Sequence, residues 1–91
     1  MDLNTRVRIP PHIMTRRVGE DVVVLDLQSG IYFGLDEVGV RVWEMLEKGE
    51  TVGAAIAAIT EAYDVAPETV RTDVCELVQE LLGRGLLLER T

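Results

Sequence analysis

The chain is poor in the residues that usually carry chemistry. Among its 91 residues stand one cysteine, one histidine, one tryptophan, two tyrosines and one phenylalanine. A single cysteine forms no internal disulfide, so the fold rests on packing alone and a reducing, cytoplasmic setting is expected. His12 follows Pro10-Pro11 with no second histidine or cysteine at ligand spacing, so no metal site is expected. Cys75 has no base on its own helix to activate it and reads as a small apolar side chain. Gly30 and Gly34 bracket a strand, but no Gly-Lys-Ser/Thr follows to make a phosphate loop. No catalytic residue and no cofactor is therefore expected. Positive charge is scarce too: nine Lys and Arg face sixteen Asp and Glu, for a net charge of −7. That balance argues against binding a phosphate backbone. The carboxylates are scattered and read as a solvated face. No apolar run of about eighteen residues exists to span a membrane, and Met1–Arg6 lacks the apolar region of a secretory signal.

What is present suffices for one small core, since hydrophobic residues make up 47% of the chain and a chain this short seldom builds two. Residues 1–11 are polar, end in Pro10-Pro11 and are expected to be loose, with one domain over 12–91. His12–Arg17 reads as a first strand whose prolines and arginines suit a guarded edge. Asp21–Leu27 contains the densest β-branched run, and its unbroken apolar stretch predicts a central strand covered on both faces. Ile31–Leu35, after the turn at Gln28-Ser29-Gly30, reads as a third strand on the far side of a meander.

Three helices follow. Asp36 caps the first, with Val38, Val42, Met45 and Leu46 on one face and Trp43 as core or sheet anchor. Gly39 weakens that helix by roughly 1 kcal/mol relative to alanine, which close approach of a neighbouring backbone would offset. Thr51 caps the second, with Val52, Ile56, Ile59 and Tyr63 on one face. Pro67 opens the third behind Ala66, a weak cap. The third helix bears two adjoining stripes: Val70, Val74, Leu77 and Leu81 as the expected core face, and Arg71, Cys75, Val78 and Leu82 beside it. An apolar arc that wide exceeds what one contact requires. Gly83-Arg84-Gly85 stops the helix, and Leu86–Leu88 returns as a short extended segment.

Three strands followed by three helices give an α+β, winged-helix-like order, which raises DNA binding as a rival function. Between Pro67 and Leu82, however, four carboxylates face the single guanidinium of Arg71, and phosphates repel a helix of that sign. The Ile31–Leu35 edge, in contrast, carries no guard. A partner strand could pair with it and place side chains against the second stripe of the third helix. Pattern alone leaves a second reading equally open, in which the chain's own C-terminal segment covers that edge.

The wording Val23-Val24-Leu25-Asp26, Gly30-Ile31-Tyr32-Phe33-Gly34-Leu35-Asp36-Glu37-Val38-Gly39 and Val42-Trp43 resembles the PqqD-like family, the precursor recognition elements of ribosomal peptide-modification (RiPP) pathways. Thr51-Val52, Tyr63-Asp64-Val65, Pro67-Glu68-Thr69, Asp73-Val74 and Arg84-Gly85-Leu86-Leu87 extend the resemblance over residues 12–88. It departs in Asp36, where asparagine is common, in Phe33 for a frequent tyrosine, and in Ala66 for a frequent aspartate. The resemblance implies an adaptor without catalysis that takes the leader of a precursor peptide as an extra strand. Ile31, Tyr32, Phe33, Gly34 and Leu35 would form the edge, with Arg71, Val74, Cys75, Val78 and Leu82 as the cleft wall and Arg71 facing an acidic leader residue. It further implies a leader peptidase, and indirectly a macrocyclase, as partners. The wording looks more like the lasso-peptide subgroup than the pyrroloquinoline quinone pathway protein that works with a radical enzyme.

Overall fold

The computed structural model describes residues 1–90; Thr91, the last residue of the expected domain, lies outside the described residues. Chain order gives β1 (Val7–Arg8), β2 (Ile13–Val18), β3 (Asp21–Asp26), β4 (Tyr32–Leu35), α1 (Glu37–Glu47), α2 (Val52–Ala62), α3 (Pro67–Gly83) and β5 (Leu88–Glu89). Strands β2, β3 and β4 form an antiparallel sheet in that order, while β1 and β5 pair as a separate two-stranded ribbon. The α+β order expected from the sequence, a three-stranded antiparallel sheet followed by three helices, is the order found.

Residues 1–11 are not loose, contrary to expectation. Val7 is 2% exposed and pairs through β1 with β5. The carbonyls of Leu3 and Thr5 accept from the Gly53 and Val52 amides at 2.8 and 3.0 Å, which satisfies donors that the start of α2 cannot bond internally. The sequence signal was the alternation Leu3, Val7 and Ile9 at odd positions, which Pro10-Pro11 interrupts rather than precedes.

The central strand β3 alternates. Val22, Val24 and Asp26 face the helices and are buried, while Val23 and Leu25 are half-buried on the outer face. Coverage on both faces was expected and is not what forms. The register sets Met14, Leu25 and Tyr32 side by side on that outer face, so cross-strand neighbours cover Leu25 in part and no second layer does.

A carboxylate fixes the β3–β4 turn. Asp26 is 7% exposed and accepts from the Gln28 and Ser29 amides at 2.8 and 3.1 Å, an arrangement in which a side chain stands in for a turn of backbone. His12 Nε2 lies 3.9 Å from Asp26 Oδ2, so the lone histidine is half-buried beside the turn and not free. Burial pushes the Asp26 carboxyl up, but the Ser29 and Gln28 amides, the Ser29 hydroxyl and the charge of His12 together hold it below the usual value.

The helices start as their sequences dictate. Asp36 Oδ1 accepts from the Gly39 amide at 2.8 Å, and Thr51 Oγ1 from the Ala54 amide at 3.0 Å. Ala66 offers no side-chain cap and Pro67 opens α3. At Gly39 a Cβ would stand 3.3 Å from both Asp36 Oδ1 and Leu35 Cδ2. The close neighbours are thus side chains of the cap and of β4, not a neighbouring backbone. At the end of α3, the Gly85 amide bonds the Leu82 carbonyl at 3.1 Å and the Leu86 amide bonds that of Leu81 at 3.0 Å. That closure requires a left-handed residue, and Gly85 has φ +74°.

The core lies between the helix-facing side of the sheet and the three helices, where Val24, Leu35, Val42, Leu46, Val74 and Leu81 meet. Each such side chain contributes about 1.5–3 kcal/mol on burial. Trp43 is 3% exposed and belongs to this core, and its Nε1 has no hydrogen-bond partner among the described residues. Among those residues no helix is long and apolar enough to cross a membrane, and no group of three or more His, Cys, Asp or Glu could hold a metal ion.

Candidate functional site

The C-terminal segment bears on the question the sequence left open. Strand β5 pairs with β1 and not with β4. Among the described residues nothing bonds to the outer side of β4, so that edge is open.

Antiparallel strands alternate between residues that exchange hydrogen bonds and residues whose N–H and C=O point away. The Asp26 amide bonds the Ile31 carbonyl at 2.8 Å, and the register pairs Val24 with Phe33 and Val22 with Leu35. Phe33 and Leu35 therefore turn their backbone groups toward β3, as Ile31 does its carbonyl, while the Ile31 amide donates to the Ser29 hydroxyl at 3.2 Å. Tyr32 and Gly34 turn theirs outward. Side chains follow the same alternation: Leu35 is buried and Phe33 half-buried on the helix side, while Tyr32 is 69% exposed on the outer face. Ile31 precedes the strand and is exposed.

Beside this edge lies a cleft of about 450 Å³, bounded by β4, the start of α1 and one flank of α3. Phe33, Leu35, Val38, Val42, Val74 and Leu77 give it an apolar lining, and Asp36 and Asp73 supply its charged groups. One end of β4 is tied to the last turn of α3, with the Arg84 guanidinium 5.3 Å from the centre of the Phe33 ring. Arg84 also donates to Glu80 Oε1 at 2.8 Å.

Of the ten residues expected in the site, the structure brings Phe33, Gly34, Leu35 and Val74 together around this cleft. Tyr32 and Ile31 lie along the same edge. The other four do not join them. The buried residues of α3 are Val70, Val74, Val78 and Leu81; of these Val74 also lines the cleft, whereas Val78, at 0% exposure, belongs to the core and does not line it. Arg71, Cys75 and Leu82 fall on one margin of that face, whereas Asp73, Leu77, Glu80 and Arg84 fall on the other, the margin toward β4. A residue advances about 100° around a helix, so shifting the face centre by a fraction of one step exchanges Leu77 for Val78. The expected stripe thus lies on the flank of α3 away from this cleft. The signal for the correct centre was the run Val70, Val74, Val78 at strict i, i+4, i+8 spacing, with Leu77 and Leu82 as its two shoulders. Which shoulder faces the sheet depends on how α3 crosses it, and one helix's periodicity does not encode that.

Comparisons with known proteins bear on the fold and the family. No curated protein matches. The family described as coenzyme PQQ synthesis protein D (PqqD) matches residues 21–87. Among solved structures, TbiB1 in complex with the TbiA(beta) leader peptide is 36% identical with a TM-score of 0.79, over 88% of this chain and 93% of that one. Lasso peptide synthetase B1 complexed with the leader peptide is 25% identical with a TM-score of 0.83, over 91% of this chain and 98% of that one. With the family match running from the start of β3 to Leu87, just past the end of α3, this chain belongs to the PqqD family.

Proposed function

We propose that this protein is a non-catalytic adaptor that binds the leader segment of a ribosomally made precursor peptide. The leader adds to β4 as an antiparallel strand, bonded to the outward N–H and C=O groups of Tyr32 and Gly34. Alternate leader side chains enter the cleft between Phe33, Val38, Val74 and Leu77. The observation that carries this reading is the open β4 edge lying directly beside an apolar cleft. Backbone pairing supplies affinity there and the cleft supplies selectivity. Both structural neighbours are complexes with leader peptides, which supports the same reading. The lasso-peptide role printed for lasso peptide synthetase B1, at 25% identity, favours a lasso pathway over pyrroloquinoline quinone synthesis. In that pathway the adaptor presents the leader to a peptidase, and through it the precursor reaches a macrocyclase.

The test is a fluorescence-anisotropy titration with a labelled leader peptide, the TbiA(beta) leader bound by the 36% identical TbiB1 serving as the first probe. Gly34→Pro removes only an outward N–H, at a position where a Cβ meets nothing within 4 Å, and edge positions tolerate such a proline. Affinity is expected to fall about ten-fold, the cost of one backbone bond with its neighbours disturbed. Phe33→Pro is a poorer probe, because the Phe33 amide bonds to β3. Undiminished binding by folded Gly34→Pro would contradict strand addition at this edge.

A further inference from the structure

We infer that the cleft selects peptides in which an apolar anchor is accompanied, two residues along, by a lysine or arginine. This deepens the leader-binding reading and rests on it. Only two charged residues line the cleft, Asp36 and Asp73, and both are acidic. Asp36 is committed, since its Oδ1 caps α1. Asp73 is exposed and, among the described residues, has neither an ion-pair nor a hydrogen-bond partner.

The nearby cations are unable to neutralise it. Arg71 lies on the opposite margin of α3, and Arg84 is held by Glu80 at 2.8 Å while covering Phe33. The whole chain carries −7. An acidic side chain entering here is repelled and a cation is drawn in. This assignment is opposite in polarity to the pairing of Arg71 with an acidic leader residue expected from sequence.

The spacing follows from two periodicities. Leu77 and Asp73 are four residues apart on α3, about 6 Å along the helix. Residues two apart on a strand share a face and stand about 6.5–7 Å apart. With the added strand lying along α3, as the proposal requires, a side chain anchored against Leu77 sets the next same-face residue opposite Asp73.

Selection of phage-displayed random peptides on the intact protein, compared with its Asp73→Asn and Asp73→Lys variants, tests this. The native protein is expected to enrich an aliphatic or aromatic residue with Lys or Arg two positions away. A synthetic peptide of that sequence should bind Asp73→Asn about three- to five-fold more weakly, the scale of a single exposed ion pair, with a smaller difference at high salt. Asp73→Lys should enrich Asp or Glu at the same position. Selected peptides that slow amide exchange at Tyr32 and Gly34 but show no basic preference would overturn the charge assignment while leaving strand addition standing. A selection whose peptides leave those amides unaffected, or that enriches nothing, would overturn both.

Discussion

The guanidinium of Arg84 stacks 5.3 Å from the centre of the Phe33 ring, joining the edge strand to the last turn of α3. This contact fixes how far β4 stands from the helix at one end of the cleft. The ring meets Arg84 through its face, a contact that calls for no hydroxyl. A cation over an aromatic face contributes about 0.5–1 kcal/mol at an accessible site. The Arg84–Glu80 pair, nearly half exposed on both sides, adds about 0.3–0.5 kcal/mol. Arg84→Ala is expected to lower stability by about 1 kcal/mol in urea unfolding, and Glu80→Gln by less than half of that. Equal losses would mean that the ring contact contributes nothing.

Val78 and Leu77 separate the core from the cleft. Val78 is fully buried, so Val78→Ala should cost about 2–3 kcal/mol of stability. Any loss of peptide binding in that variant would follow from unfolding. Leu77 is half-buried and lines the cleft. Leu77→Ala should cost about 1 kcal/mol or less while weakening peptide binding about ten-fold. Paired urea melts and anisotropy titrations check both. Leu77→Ala with native affinity would take α3 out of the site.

Much of this arrangement was legible in the residues, and the reasons for the rest are physical. Asp36, Thr51 and Pro67 mark helix starts because unpaired first-turn amides need an acceptor or a missing donor, and all three helices begin where those residues stand. The meander was readable from two short connections. Three features were not. The covered outer face of β3 was inferred from an apolar run, but β-branched residues serve an edge-to-edge neighbour as well as a second layer. The docking of residues 1–11 depends on pairing with a segment some eighty residues away, which local pattern does not report. The expected stripe and the cleft lie on different flanks of α3 because Leu77 and Val78 are adjacent, and only the crossing of helix over sheet decides which of them faces the cleft.

Gly85 closes α3 at φ +74° and lets Leu86 turn back into the core, where it is fully buried. An alanine there must adopt a left-handed conformation that its Cβ resists. Gly85→Ala is expected to cost about 1 kcal/mol, measured as a lower urea midpoint at unchanged slope. A stability gain would mean that the helix ends differently.

Asp26 links the β3–β4 turn to pH. Its folded-state carboxyl titrates below the ordinary value, because bonds from Ser29 and Gln28 and the charge of His12 outweigh its burial. A depressed carboxyl contributes stability that is present above the unfolded-state value of about 3.9 and lost as pH falls through the folded value. Urea midpoints should therefore fall below about pH 4, and Asp26→Asn should flatten that fall while lowering stability at neutral pH. An acid limb equally steep in the variant would assign it to other carboxylates.

Amide hydrogen exchange, residue by residue, across β4 with and without a saturating leader peptide, bears most directly on the edge itself. Phe33 and Leu35 already bond to β3, so their exchange should change little. Tyr32 and Gly34, whose N–H groups face outward, should slow markedly when the peptide is bound. Peptide bound at saturation with Tyr32 and Gly34 exchanging as fast as in the free protein would contradict the account.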